Sequence, residues 1–541
     1  MAKKLDKSGR LKRLLEAGYL PDELPPPFVS GTFSTYRESL HRKWQTVPQQ
    51  KYQHYKSSPD VLSIPKYGHE RRKIAIVNPI NQMRLSRVIA DNWIDIRDFI
   101  NTSKISEYRA IFDLNGRRAI FGVDWDAVSS RRNTISAQYS GQFHTDISKF
   151  YPTIYTHSIA WAYFGKQLVQ ANLNANWLKQ SYLNSLDIEI RHGQRNQSVG
   201  LPIGPDTSRI VAEIVARGIE KAVEVRIPDL GDRALRYVDD FTVGVNDGEA
   251  EEHTVIAVEL AFAEFELGMN FAKTKFINHK VALPELWKEH LSTVPLINRP
   301  ERQRDKLENY FDIAFRAAEK SEKDAVLKWA VKRARSFKID PKNQKYFYEK
   351  ILHVGRRAPA CMGAISQLLI DARHNSQTLP IDSIRKYISD NIKVAGKTGH
   401  AYEVMWALFL CKGLSITVNR SEVEHLFSMS SSSVALILMD LDRRGLIDGG
   451  IDDTIWMQDC ANANGLQSPM WLLAYEAVRK GWWSVPTTYV QADPFFDPML
   501  LKGIHFYDEN KNVPPTRRER RESAWLSLIR QRILSQWQDY A

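Results

Sequence analysis

Two adjacent aspartates, Asp239 and Asp240, sit in the segment RYVDDFTVGV between apolar, strand-forming residues. On flanking strands such a pair falls in a hairpin turn. Side-by-side carboxylates repel unless a cation neutralises them, and magnesium, a hard oxygen-seeking ion, is the natural one. A third carboxylate, Asp146, ends the β-type run of FHTDISKFYPTIYTHSIAWA, and a helix-like stretch follows the Phe150–Tyr151–Pro152 step. At a strand end, Asp146 can meet the hairpin of Asp239 and Asp240. Three carboxylates from two elements can hold two magnesium ions, with manganese as a substitute. One ion would activate a primer 3′-hydroxyl, and the other would hold a triphosphate and the leaving pyrophosphate. Asp146, Asp239 and Asp240 are therefore the candidate catalytic and metal-binding residues. Taken singly, each has a plainer reading as a turn, surface or capping aspartate.

Tyr151 follows Asp146 by five positions, where an aromatic ring can lie under the sugar of an incoming nucleotide. A ribose 2′-hydroxyl would clash with it, so deoxyribonucleotides are favoured; the alternative is a core aromatic. The segment SVGLPIGPDTSRIVAEIVARGIEKAV places Gly200, Pro202, Gly204 and Pro205 in a tight turn before a helix that carries Ser208, Arg209 and Glu213 in its first turns. Glycine there permits close approach, so Gly204 is a candidate nucleotide contact and Arg209 a candidate nucleic-acid contact. In SIPKYGHERRKIAIVNP, Lys66, Arg71, Arg72 and Lys73 flank a turn at Gly68. On a two-stranded finger these four basic side chains can clamp a triphosphate electrostatically, and Arg71 and Lys73 are also candidate nucleic-acid contacts. A solvated charge run is the ordinary reading of such a stretch. LGMNFAKTKF sets Lys273 and Lys275 shortly after the aspartate hairpin, where either can stand near the pyrophosphate as a proton donor and Lys273 is also a candidate nucleotide contact; the plainer reading is two exposed lysines.

The elements that must position these residues fall in three stretches. Residues 1–59 predict a short basic helix with Leu11, Leu14 and Leu15 on one face, then a proline-rich extended arm at LPDELPPPF. Residues 60–294 alternate short β-type runs (KIAIV, QFHTDI, FTVGV) with helical stretches, which predicts an α/β or α+β domain. Residues 295–541 predict a helical-repeat domain. Leu307, Tyr310, Phe311 and Ala314 follow helical spacing. Ser321 with Asp324, and Ser421 with Glu424, are spaced as helix-capping partners. The closing segment RRERRESAWLSLIRQRILSQW is basic, then amphipathic through Trp525, Leu528, Ile529, Ile533 and Trp537.

The formal net charge of +12 favours a polyanionic partner. Cys361, Cys411 and Cys460 form no CxxC pair, so neither a zinc site nor a disulfide framework is indicated, which suits a cytoplasmic setting. No apolar run approaches the roughly 18 residues of a membrane span. The basic N-terminus lacks the apolar core of a signal peptide.

The finger cations, Asp-x4-Tyr, Gly-x-Pro-x-Gly, Tyr-x-Asp-Asp and the Asn-x-x-Lys stretch, in that order, resemble the motifs of reverse transcriptases over about residues 60–290. GYLPDELPPPF, DISKFYPTIYTHSIAWA and GLPIGPDTSRIVAEI are similar to the bacterial abortive-infection and defence-associated (unknown group) reverse transcriptases of the AbiK and Abi-P2 type. The resemblance implies a fingers–palm domain followed by a HEAT-like helical-repeat domain. It implies a DNA polymerase acting in anti-phage defence, either RNA-directed or template-independent. Its partners would be deoxynucleoside triphosphates and nucleic acid, as a noncoding RNA template or a covalently attached DNA product. It also implies a trimer or hexamer, and priming from a protein hydroxyl for which Tyr19 and Tyr36 are among the candidates. Ile203 stands where template-copying bacterial relatives usually carry glutamine, which leaves untemplated synthesis open. The competing expectation is a non-catalytic nucleic-acid-binding assembly scaffold with a vestigial palm.

Overall fold

Alternation in QFHTD sends Phe143 and Thr145 inward, whereas FTVGV is apolar enough to be buried along its whole length. The computed structural model describes residues 5–108, 110–246, 251–278, 287–295, 299–321, 325–483 and 488–513. In it these runs become β3 (Gly141–Asp146) and β5 (Asp240–Val245), joined by β4 (Ala234–Tyr237) and β6 (Lys275–Asn278) in an antiparallel sheet of order β4-β5-β3-β6. The register sets Asp146 directly opposite Asp240, and Tyr237 opposite Asp240 on the other side. The helix Asp206–Arg226 is buried along most of its length, with the charged Glu213, Arg217 and Glu220 buried among its apolar residues.

A second hairpin, β1 (Asp60–Pro65) and β2 (Arg71–Ile76), turns through Gly68 in the left-handed region, at φ +63°. At its base the Trp471 indole donates to the Ile76 carbonyl (3.2 Å) and Asn78 to that of Leu466 (2.9 Å). The N-terminal helix Lys7–Glu16 buries Leu11, Leu14 and Leu15 as expected. The proline-rich arm then runs between the two halves of the chain. The Val29 amide donates to Phe506 O (3.0 Å) and the Asp508 amide to Pro27 O (2.8 Å), while Phe28 meets Tyr507 edge-on. Tyr19 is buried, its hydroxyl donating to Val77 O.

The helical patterning after residue 295 is borne out: Leu307, Tyr310, Phe311 and Ala314 of the helix Pro300–Ser321 are all fully buried. The helix Ala401–Leu414 is apolar all round and sits at the centre of the helical half. Among the described residues, strand pairing there is confined to the two-residue parallel pair Val418–Asn419 and Ile447–Asp448. Two expected caps move. Ser421 lies inside a helical turn that Asn419 and Glu422 cap reciprocally, because Glu422 reaches back to the Asn419 amide (2.9 Å). Ser321 ends its helix rather than starting one, and Asp324 lies outside the described residues, as does the segment 514–541. No helix among the described residues is long and apolar enough to cross a membrane.

Asp60 couples β1 to the helical half. It is 1% exposed and accepts from the Ser432 amide (3.2 Å), the first residue of the helix Ser432–Arg443. Burial pushes its carboxyl up to about 7, against the downward pull of the Ser432 hydrogen bonds. The folded value lies above the unfolded one of 3.8, so Asp60 contributes stability that is present below the unfolded value and lost as pH rises to about 7. Asp60→Asn is expected to remove that loss: between about pH 5 and about pH 8 its unfolding free energy should fall less than that of wild type, by roughly 3 kcal/mol. Denaturant titrations that run parallel for the two proteins across that range would show that Asp60 does not titrate in the fold.

Candidate active site

The aspartate pair lies where β4 turns into β5. The Tyr237–Asp240 pairing leaves a two-residue connection, Val238–Asp239. Val238 has φ +58°, a conformation that a β-branched residue adopts only under constraint. The constraint is Arg236. Its Nη1 donates to the Val238 carbonyl (3.0 Å), and the guanidinium is fully buried between Glu213 (3.1 Å) and Glu220 (3.2 Å) of the helix Asp206–Arg226. The Ser103 hydroxyl meets both Glu220 oxygens (2.7 and 2.8 Å), and Arg217 adds a second cation at 3.4 Å. The turn thus stands on a buried ion network. Sequence reading did not single out Arg236 or Glu220. The signal was present in the spacing: Glu213, Arg217 and Glu220 recur at i, i+4 and i+7 on one face of a helix among apolar Ile210, Ile214 and Val215, and Arg236 lies in a strand.

Asp146 closes the site from β3. Its backbone carbonyl accepts from the Asn270 amide (2.9 Å), and the Ser148 amide donates to Gly268 O (2.8 Å). These bonds fix the turn that delivers Lys273, whose ammonium lies 2.5 Å from Asp146 Oδ2. The other oxygen, Oδ1, is buried with no hydrogen-bond partner. Burial, then the charges of Asp240 and Asp146, push the Asp239 carboxyl up to about 6. The hydrogen bond to Asp146 raises the Lys273 ammonium above its ordinary range. Among the described residues no three His, Cys, Asp or Glu side chains converge on one preformed cation position. The donor set nevertheless suits a hard divalent ion. It is all oxygen, one buried oxygen lacks a partner, and burial together with neighbouring negative charge already raises a carboxyl. Asp146 and Asp239 with Asp240 are the residues that would hold it.

Of the other sequence candidates, Tyr151 stands within electrostatic reach of Asp239, and Arg209 and Arg72 within reach of Tyr151. Burial, then the Glu213 charge, push the Tyr151 hydroxyl above the usual phenol range, while Arg209 and Arg72 pull it down and Asp239 adds to the rise. The Arg209 guanidinium lies over the Tyr108 ring (5.3 Å) and against Gly122, where a Cβ would come within 2.0 Å of it. Lys66, Arg72 and Lys73 are exposed on the β1–β2 hairpin, with Lys66 beside Glu70 (3.6 Å) and Arg72 beside Glu23 (3.3 Å).

Two candidates are placed otherwise. Arg71 turns its fork away from the cleft and grips Glu403 of the helical half with two 2.8 Å bonds, while also donating to Ser63. Gly204, at φ +135°, is packed under Pro21 and the Ala75 carbonyl, which a Cβ would approach to 2.6 and 3.2 Å. Its carbonyl accepts from Arg118 (2.7 Å), which also grips Asp206. The glycine loop therefore joins arm, finger and helix.

Residues 65–303 match the family described as reverse transcriptase (RNA-dependent DNA polymerase). The solved structures with a similar chain include apo telomerase from Candida tropicalis. That chain is 12% identical, with 68% of this chain and 72% of that one covered, at a TM-score of 0.30. No curated protein sequence matches the chain. Residues 65–303 thus form a reverse-transcriptase domain, and a largely helical region follows it.

Arg236→Met leaves Glu213 buried without its cation and Glu220 with Arg217 alone, and is expected to cost about 3–5 kcal/mol, read as a lowered urea midpoint. Adding Glu213→Gln and Glu220→Gln should recover most of that loss. An Arg236→Met protein as stable as wild type would show that the network does not support the turn.

Proposed function

We propose that the chain is a reverse-transcriptase-type DNA polymerase that joins deoxynucleotides by nucleotidyl transfer at Asp146, Asp239 and Asp240. One observation carries this: the sheet register sets Asp146 opposite Asp240, beside the strained turn that holds Asp239. Two divalent ions, magnesium by preference and manganese as a substitute, would supply Lewis-acid stabilisation of the attacking and leaving oxygens. In the transfer, a primer 3′-oxygen attacks the α-phosphorus, the bond to the β-phosphate bridge breaks and pyrophosphate leaves. Lys273, its proton held firmly beside Asp146, is placed to give that proton to the pyrophosphate. Tyr151 presents its ring at the sugar position and excludes a 2′-hydroxyl. Arg72 and Lys66, exposed on a hairpin whose base is fixed, close on the triphosphate. Arg209 and Lys73 meet the nucleic-acid backbone.

The finer reading follows the sequence resemblance. Ile203 gives its carbonyl to the Ala75 amide (2.8 Å) and lies partly exposed in the glycine loop. An apolar side chain there offers no hydrogen bond to a template base, which favours template-independent synthesis. The setting is anti-phage defence in a bacterial cytoplasm, with the chain assembled as a trimer or hexamer.

Asp146→Asn, Asp239→Asn and Asp240→Asn should each lower deoxynucleotide incorporation by a factor of about 10³ or more while the protein stays folded. Incorporation is measured with purified protein, magnesium or manganese, and with or without an RNA template. Sequencing the product separates copied from untemplated DNA, and the same variants should lose protection in a plaque assay. Variants that synthesise as well as wild type would sink the site assignment. Nucleic-acid binding without synthesis under either metal would favour the scaffold reading. Tyr151→Ala is expected to narrow the preference for deoxy- over ribonucleotides by roughly 10-fold or more, read from paired incorporation rates. An unchanged ratio would remove Tyr151 from sugar selection.

A further inference from the structure

Tryptophan in this chain is typically a core residue: Trp44, Trp406, Trp456 and Trp471 are all essentially buried. Trp177 (42% exposed) and, more fully, Trp125 depart from that pattern, Trp125 with 56% of its surface exposed. It opens the helix Trp125–Gln138, whose start is fixed by Asp124, the side chain of which accepts from the Ala127 amide (3.1 Å). Val128 and Ile135 of the same helix pack on Leu235 of β4, and Arg131 donates to Ala234 O (3.1 Å). The indole therefore stands on a rigid base beside the palm sheet. Its ring lies 5.1 Å from that of Tyr237, tilted by 46°. Tyr237 is the cross-strand partner of Asp240, so the Trp125–Tyr237 pair borders the aspartates directly. Just upstream, Phe121 (51% exposed) and Ile111 (55% exposed) lie opposite one another on a short pairing, with the Phe121 amide donating to Ile111 O (2.9 Å). Arg209 stands within electrostatic reach of Tyr237.

We propose that Trp125, supported by Tyr237, is a stacking platform for the bases of a single nucleic-acid strand that leaves or approaches the aspartate site. The platform rests on the polymerase reading and deepens it. Every base has an aromatic face, so stacking holds a strand without selecting its sequence, whereas a duplex hides those faces inside its own stack. Three observations favour a nucleic acid over an apolar protein partner: continuity with the carboxylate site, a cation (Arg209) within electrostatic reach of Tyr237, and the net charge of +12. Trp125 is a binding residue here; it touches bases and not the reacting atoms.

The test uses the full chain, an oligo(dT) of about 12 nucleotides and an abasic strand of equal length, with affinity measured by fluorescence anisotropy across salt concentrations. Wild type is expected to bind the oligo(dT) more tightly than the abasic strand. Trp125→Ala should weaken oligo(dT) binding by roughly 5- to 100-fold, with abasic affinity and the salt slope unchanged. Trp125→Phe should restore most of the loss. Because the side chain is exposed, both variants should melt with wild type. Equal affinity of wild type for both strands overturns the platform while leaving the polymerase reading intact. A Trp125→Ala variant that binds oligo(dT) like wild type, or loses both strands equally, does the same. A wild-type chain that binds neither strand overturns both.

Discussion

Two carboxylates face each other across an antiparallel strand pair, and a third sits in the adjoining turn. Cross-strand neighbours of like charge repel, the more so when water is partly excluded. Burial first, then the charge of Asp240 and more weakly that of Asp146, raises the Asp239 carboxyl to about 6. The chain offsets the repulsion in two ways. Lys273 brings a cation from the following turn onto Asp146, and backbone bonds from Asn270 and Ser148 hold that turn in place. Beneath the hairpin, Arg236 fixes the Val238 carbonyl and is itself fixed by Glu213 and Glu220. A buried charge network of this kind adds little net stability against a well-packed apolar alternative, because desolvation cancels most of the attraction. Its effect is on geometry: it holds a valine in the left-handed region and aims the carboxylates beside it.

The glycine loop and the proline-rich arm do for the finger hairpin what the ion network does for the turn. Asp206 caps the junction by accepting from Arg118 and from the Ala119 and Ile120 amides, and its own amide donates to Gly18 O. Gly204 lets Pro21 of the arm lie directly on the loop. On the far side, Glu23 meets both Arg72 and, through its carbonyl, the Trp406 indole (2.9 Å). With Arg71 on Glu403, the base of the finger hairpin is fastened to the helical half while its tip stays exposed. A fixed base with a free, basic tip can close on a triphosphate without disturbing the sheet.

Much of the fold and the site was legible in the sequence. Strand runs before Asp146 and after Asp240 predicted a carboxylate meeting point, since residue types at a strand end and in a hairpin turn are locally determined. Helical periodicity placed the long helical half, and the three prolines excluded a helix from the arm. The caps at Ser321 and Ser421 were less well determined. Several residues within two positions could cap, and only the packed helix selects Asn419 with Glu422.

Tertiary structure alone decided which cations stay exposed and which are tied down. Lys66, Arg71, Arg72 and Lys73 read alike as a basic run. A partner 332 residues away turns Arg71 into an anchor and leaves its neighbours in solvent. Glycine spacing marked a close approach at Gly204, but only the fold shows that the approaching atoms belong to Pro21 and Ala75. The exposure of Trp125 is likewise invisible in a chain whose other tryptophans include several that are buried. Sequence fixes what each side chain can do; long-range packing fixes which charges are neutralised and which rings meet water. Those outcomes depend on contacts between residues hundreds of positions apart.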